Sequence, residues 1–540
     1  MPLLGSLSTR STNKVAVLIA LCFSVFVVNV ATMIVNIALP VMVVELDAST
    51  RDLLWIVDAF NLTFAALVLA AGSLSDRFGR RAFLLGGLAV SVVASTAGAW
   101  SPNPEVLIGW RALAGVAAAV VYPVTLSILT NVFTERSERV KAIGIWGAAT
   151  GMSVAIGPVV GGALIESFWW GSILVFVGAA SLATLAMAAV VVPESRDPSV
   201  PPLDFLGLLL STLALGSLVY TIIEAPDRGW TATATLVGFA AAAVLLIVFV
   251  LQEVRVPHPM LDVRLFTNMR FTAASGAITG AFFALFGFIF LVTQYLQSVL
   301  GYGALETGLR MLPVAGSIAV ASLVGPRLAV AIGTKIVVAA GLMMVTVMFW
   351  WSATSQVDTS YSIIASQMVL LGIGLGLISA PATEAIMGAV STEKAGMGSA
   401  VNDATREFGG TLGVAVIGSI ALSVYRDALE TDAKSIPAQL IEPARDSIGA
   451  ALEASKIAAA QFGEVGAVAG QQLSGIARSG FVDGFTTGCI VAGAVTAVAA
   501  ILTLIFLPAH PGTTEYENPA GDLDEQSKAS ASEEKSSSRR

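Results

Sequence analysis

Residues 53–81 read LLWIVDAFNLTFAALVLAAGSLSDRFGRR. From 53 to 74 the only charge is Asp58. About 20 apolar residues are enough for one helix to cross the hydrocarbon of a bilayer. The stretch then turns abruptly into Ser75-Asp76-Arg77-Phe78-Gly79-Arg80-Arg81, a glycine-containing turn with three arginines. Glycine permits a tight turn at a helix end, and arginines at such a place fit an anionic inner leaflet. One segment thus predicts a spanning helix that runs inward and stops at a basic turn.

The same reading extends over the chain. Fourteen apolar runs are predicted as membrane helices, near 15–44, 53–74, 82–100, 105–129, 140–165, 171–193, 204–224, 231–252, 271–298, 307–332, 334–354, 362–389, 397–425 and 484–508. None shows the alternation of an outer-membrane strand. The first run follows Arg10 and Lys14, but it is too long for a signal-peptide core and lacks a small-x-small cleavage site, so it reads as a retained helix. Composition agrees. The 540 residues are 56% hydrophobic and 12% charged, with mean hydropathy +0.82. So few charges could not keep a soluble surface of this size hydrated. This excludes a soluble enzyme and a disordered regulator. The net charge of -8 argues against nucleic acid, which calls for basic patches. Two His and two Cys leave no metal site or disulfide framework to expect. No GxxxxGK[ST] run is present, so nothing points to ATP as the drive, and no cofactor is implied.

Basic residues in short loops set orientation. Arg77, Arg80, Arg81, Arg136, Arg139, Lys141, Arg196, Arg255, Arg264, Arg270, Arg327, Lys335 and Lys394 fall on alternate loops, while the other loops hold chiefly Arg51 and Arg228. Both termini are therefore expected in the cytoplasm. The organisation reads as an N-terminus 1–14, a first six-helix bundle 15–193, a linker 194–270 holding the seventh and eighth helices, and a second bundle 271–508. Residues 427–482 form an outer segment before the last helix, and 509–540 form a tail. The tail from 511 has almost no apolar content and reads as disordered. Segment 427–482 is rich in Ala, Gln and Glu and fits either short amphipathic helices or a solvated loop. A faint repeat links Asp76–Arg81 to Gly325-Pro326-Arg327 with Gly333-Thr334-Lys335, and repeated halves are typical of secondary transporters.

Three motifs sharpen this. The first is Gly72-x-Leu74-x-Asp76-Arg77-x-Gly79-Arg80-Arg81, where Asp76 could pair across the halves in one conformation only. The second lies in the fifth run: Gly147 and Gly151, four apart, then Gly157-Pro158-x-x-Gly161-Gly162. Small residues at that spacing let backbones meet, and Pro158 permits a kink. The third is Arg111, followed by Gly115 in the fourth run; a buried arginine needs partners. Together these resemble the major facilitator superfamily, in its 14-helix drug:proton antiporter branch of bacterial efflux pumps for quaternary ammonium compounds and dyes. Pro259-Met260-Leu261-Asp262 and Gln294-Tyr295-Leu296-Gln297 are also similar to that branch. The resemblance implies an all-α membrane fold of two six-helix bundles plus two inserted helices, and alternating access driven by the proton gradient. It implies a gating role for 72–81 and an interface role for the fifth helix. One position departs: where the branch carries an Asp in helix 1, before Ala38-Leu39-Pro40, this chain has Ala31.

The intramembrane charges are few: Asp58, Arg111, Asp403, Arg406 and Glu407, with Glu384 nearer the cytoplasmic interface. Ionisable groups at membrane depth mark functional sites by default. Asp403 and Glu407, four apart, share a helix face with Arg406 beside them. Two neighbouring carboxylates can trade a proton for a cationic substrate, whereas Arg406 could instead make a structural ion pair; both readings stand. Aromatics that could line a cavity for flat cations are Trp55, Tyr122, Trp146, Phe282, Phe286 and Tyr295. The expected function is proton-coupled efflux of cationic, amphipathic drugs from a bacterial plasma membrane by a non-enzymatic monomer among membrane lipids. The alternative is export of a lipid or endogenous metabolite on the same fold.

Overall fold

The computed structural model describes residues 13–196, 204–257, 259, 261–390, 395–433 and 436–508. The N-terminus before 13, the tail after 508, His258, Met260 and Lys394 lie outside them. Among the described residues there is no strand. In a bilayer the helix satisfies every backbone group within its own segment, so sequences this apolar resolve into helices.

Six helices form a first group: α1 (Lys14–Glu45), α2 (Thr50–Phe78), α3 (Arg80–Gly98), α4 (Pro104–Val132), α5 (Arg136–Ser167) and α6 (Ser172–Val191). Next come α7 (Phe205–Arg228) and α8 (Thr233–Arg255). The second group holds α9 (Met269–Gln294), α10 (Ala304–Arg310), α11 (Leu312–Ile332), α12 (Thr334–Ser352), α13 (Tyr361–Gly388), α14 (Ala395–Asp432), α15 (Ala438–Ala444) and α16 (Ile448–Phe506). Fourteen segments are long and apolar enough to cross a membrane, with α10 and α11 counting as one, Ala304–Ile332. Starts are marked by side-chain caps on otherwise unpaired N–H groups. Asn103 accepts from Val106 (3.0 Å), Asp204 from Gly207 (2.8 Å) and Ser447 from Ala450 (3.0 Å), and Ser49 with Asp52 makes a reciprocal capping box.

α1–α6 pack on one another, α9–α16 do the same, and α8 packs mainly on α7. The face that carries the 76–81 turn is termed the basic face, and the opposite one, which carries α15, the loop face. The two groups join at the loop face. Gln297 donates to the Ile37 carbonyl (3.0 Å), Leu305 N–H to Glu166 (3.1 Å) and Thr50 N–H to the Asp446 carbonyl (2.8 Å). All three of these bonds lie at that face. Toward the basic face the groups part, and Gly144, Gly147, Gly151 and Met152 of α5 are exposed.

The segment between the last two spans is helical. α14 continues to Asp432 and α16 begins at Ile448. A straight helix would hold Ser455 and Gly470 about 22 Å apart. Yet a methyl group on Gly470 would strike the Ser455 carbonyl, so the first part of α16 doubles back as a hairpin on the loop face. Of the two readings left open by composition, the helical one holds.

Candidate functional site

Arg111 is set by close backbone approach. A Cβ on Gly115 would collide with Thr63 and the Phe60 carbonyl, so α4 and α2 touch without side chains between them. One turn away the Arg111 guanidinium crosses the gap. Nη1 donates to the Ala31 carbonyl (3.0 Å), Nε donates to the Ile56 carbonyl (3.0 Å), and the group lies 4.5 Å from the Phe60 ring centroid. Arg111 therefore ties α4 to α1 and α2, at the very helix-1 position that lacks an acid. Its Nη2 is buried with no hydrogen-bond partner.

α2 uses two opposite faces. Ile56, Phe60 and Thr63 meet α4. Leu54, Asp58, Asn61 and Ala65, at helical spacing, form the other stripe. Leu54 packs on Gly418 of α14, which fixes that stripe against α14. Asp58 and Asn61 are fully buried there, and none of their side-chain N or O atoms has a hydrogen-bond partner. On α14, Glu407, Thr411, Val414 and Gly418 share the face turned to α2. Glu407 Oε2 is buried without a partner.

The rest of the α14 cluster is organised sideways. Asn402 donates to Asp403 (3.2 Å), Thr383 to Asn402 (3.0 Å) and Arg406 to Thr383 (3.1 Å). Arg406 also lies over the Phe282 ring (5.1 Å), and Phe282 is edge-on to Phe286. Arg406 thus spends its bonds on α13 and α9, leaving the Asp403 and Glu407 carboxylates without an ion pair among the described residues.

A chain of aromatic rings runs from α2 through α4 to α5. Phe60 touches Phe64 (6.3 Å), Phe64 touches Tyr122 (5.7 Å), and Tyr122 is edge-on to Trp146 (5.4 Å). Trp146 donates to Thr125 (3.1 Å). Tyr122 is near enough to feel the charges of Asp403, Arg406 and Glu407. Tyr122 and Trp146 of the first half thus lie near Asp403, Glu407 and the Phe282–Phe286 pair of the second, a set of groups suited to flat cations.

Not every expected residue is here. Trp55 packs on Tyr220 of α7, and Tyr295 donates to the Gln356 carbonyl and stacks on Phe485. Both lie toward the loop face. Asp76 pairs with Arg80 within its own turn (2.6 Å) rather than across the halves. That turn needs Gly79, whose φ of +124° suits no other residue. Arg81 donates to the Ala189 carbonyl (2.6 Å), its N–H reaches Glu194 (3.2 Å), and Arg77 lies by Phe78. In α5, Gly157 and Gly161 abut α1, and Gly162 abuts the α10 backbone, whereas Gly147 and Gly151 face open space. Pro158 meets Gly308 of α10. Sequence reading missed Asn61, Thr383, Phe60 and Phe64. The spacing of Asn61 three residues after Asp58 was the available signal.

The Major Facilitator Superfamily description matches residues 21–414. The chain belongs to the major facilitator superfamily. Within it, the relatives place the chain in the drug-efflux branch. It is 35% identical to the multidrug efflux pump LfrA of Mycolicibacterium smegmatis over 92% of this chain and 98% of that one. It is 31% identical to the tetracenomycin C resistance and export protein of Streptomyces glaucescens, over 92% of each. A methyl viologen resistance protein of Salmonella typhimurium, SmvA, is 29% identical over 87% and 93%. In fold, the chain matches a bacterial homolog of the human lysosomal transporter Spinster, solved inward-facing and unoccupied. The TM-score is 0.65 at 15% identity, over 94% of this chain and all of that one. The chain is thus a multi-pass membrane transporter of the drug-efflux kind.

Proposed function

We propose that this facilitator exports cationic, amphipathic drugs in exchange for protons by alternating access, as a monomer in a bacterial plasma membrane. The basic face is then cytoplasmic, and we assign both termini to that side. The observation that carries the reading is a pair of unpartnered carboxylates, Asp58 on α2 and Glu407 on α14. They lie on the two stripes that α2 and α14 turn toward each other, and both have buried oxygens without a hydrogen-bond partner. A buried carboxylate left in that state is costly. A proton or a cationic substrate relieves it, but both cannot occupy one charge at once. That competition is the elementary coupling of an antiporter. The Tyr122–Trp146 pair and the Phe282–Phe286 pair hold the apolar rings of the substrate.

In the proposed cycle the drug enters from the basic face, where the halves are apart. Asp403 and Glu407 attract it. Arg111 positions α1 and α2 by its carbonyl bonds; with Ala31 in place of an acid it has no helix-1 charge to answer. The turn at 76–81 and the glycines of α5 serve the rocking of the two halves, and lipids seal the outer surface. The test is efflux of a fluorescent cation from proteoliposomes under an imposed proton gradient, with and without a protonophore. Asp58→Asn and Glu407→Gln are expected to lower the gradient-driven rate at least about tenfold, as loss of one coupling term of about 1.4 kcal/mol would. Parental rates in both variants would overturn the assignment.

A further inference from the structure

α7 packs on α8, on α2 of the first half and on α14 of the second. It meets α2 and α14 through its last turns. Thr221, Ile222, Ile223, Glu224 and Ala225 are buried, whereas Phe205, Leu206, Leu209 and Leu213 near the other end are exposed. The polar bonds lie there too. Arg51 of α2 binds Glu224 (2.6 Å) and reaches Asp227 (3.8 Å). Arg426 of α14 pairs with Asp227, and Arg228 with Glu224 (3.3 Å). Trp230, just after α7, donates to Ser423 of α14 (3.0 Å), and Trp55 of α2 lies against Tyr220 of α7 (6.1 Å). Arg426 also donates to the Arg445 carbonyl (3.3 Å).

The arrangement is specific. Each half contributes a base, and both carboxylates come from the inserted helix, which belongs to neither half. Isolated exposed ion pairs hold little, but Glu224 is only 4% exposed and answers two arginines. Behind these pairs, Leu54 of α2 seats against Gly418 of α14. The halves cannot separate at the loop face without stripping Asp227 of Arg426 or Arg51.

We infer that the inserted helices act as a clasp on the loop-face gate, bridging Arg51 and Arg426 through Glu224 and Asp227 and setting how readily that gate opens. The inference rests on alternating access but not on proton coupling. Its test therefore reads conformation without substrate or gradient, so a failure of coupling leaves the outcome untouched. In full-length protein with Cys22 and Cys489 replaced by alanine, Leu54→Cys is labelled in reconstituted vesicles by a membrane-impermeant maleimide from the loop face. Asp227→Asn or Arg426→Gln is expected to speed labelling about fivefold to tenfold, within the usual range of conformational coupling. Asp227→Glu, which keeps a carboxylate toward both Arg51 and Arg426, is expected to label near the parental rate. Labelling unchanged by either single substitution overturns the clasp. So does Asp227→Glu labelling as fast as Asp227→Asn, because the charge would then not matter and α7 would serve packing alone.

Discussion

At the scale of single residues, Arg111 shows how one side chain can do more than its charge suggests. Its two carbonyl bonds join three helices. A lysine is a point donor and cannot fork across both carbonyls. Bonds from charged donors contribute about 1.5–3 kcal/mol each. Arg111→Lys is therefore expected to lower the thermal midpoint of the purified protein measured by size-exclusion fluorescence; an unchanged midpoint would mean the fork does not hold α1 to α2. Asp446 gives a pH signature outside the spans. Burial pushes its carboxyl above the ordinary range; Asp47, Asp227 and Asp52 add to this, and Arg426 opposes it. A carboxyl raised in the folded state favours that state while protonated. Its contribution is present below the unfolded value and is lost as pH rises through the raised one. Asp446→Asn is thus expected to raise the thermal midpoint near neutral pH and to flatten its fall as pH rises above the ordinary carboxylate range. Equal slopes in parent and variant would refute this. The charges themselves were legible in sequence, because so few acids and bases fall inside apolar runs. Which partner each takes was not. Asp76 chose Arg80 four residues on, and Arg406 chose Thr383 and Phe282, because side-chain reach and neighbouring helices decide pairing.

At the scale of the element, α5 is a helix with two kinds of glycine. Gly157, Gly161 and Gly162 are pressed on neighbours in the present conformation, and Gly147 and Gly151 are not. A methyl on Gly162 would meet the α10 backbone at Ala304 and Leu305, which cannot move aside as a flexible side chain could. Gly162→Ala is expected to disfavour closure at the loop face and to cut efflux several-fold. Gly147→Ala, with open space around it, is expected to leave closure at the loop face intact. Accessibility of a cysteine placed at Leu305 distinguishes them: labelling should rise with Gly162→Ala and stay level with Gly147→Ala, and the reverse order would contradict the packing. The sequence revealed both glycine sets through their spacing, but spacing cannot say which set is engaged in a given state. The same limit applied to 427–482. Its seven acids and four bases resemble a solvated loop, and only contacts such as Leu473 and Ala477, both fully buried, make it a packed hairpin.

At the scale of the molecule, the fourteen apolar runs anticipated the spans closely, because length and hydropathy are local properties. How the halves lean is a property of their mutual contacts and leaves no trace in hydropathy. Those contacts gather at one face, so the conformation described must break them in every cycle if access alternates. Glu166 of α5 and Gly303, just before α10, form an exposed point of that contact: the Glu166 carboxylate accepts from Leu305 N–H and lies where a Cβ on Gly303 would sit. Glu166→Cys with Gly303→Cys, in a chain lacking Cys22 and Cys489, places one thiol on each half within reach of a short bis-methanethiosulfonate cross-linker. The linker constrains the loop face without touching Asp58, Arg111, Asp403 or Glu407. Cross-linking is expected to reduce proton-driven efflux in proteoliposomes to background, relative to the same variant before treatment. Reduction of the linker should restore it. Substrate binding from the basic face, measured by equilibrium dialysis, should survive, since the halves are already apart there. Transport that continues at the untreated rate through a cross-linked loop face would mean that the halves do not separate at α5 and α10, and the rocking model built on those contacts would fall.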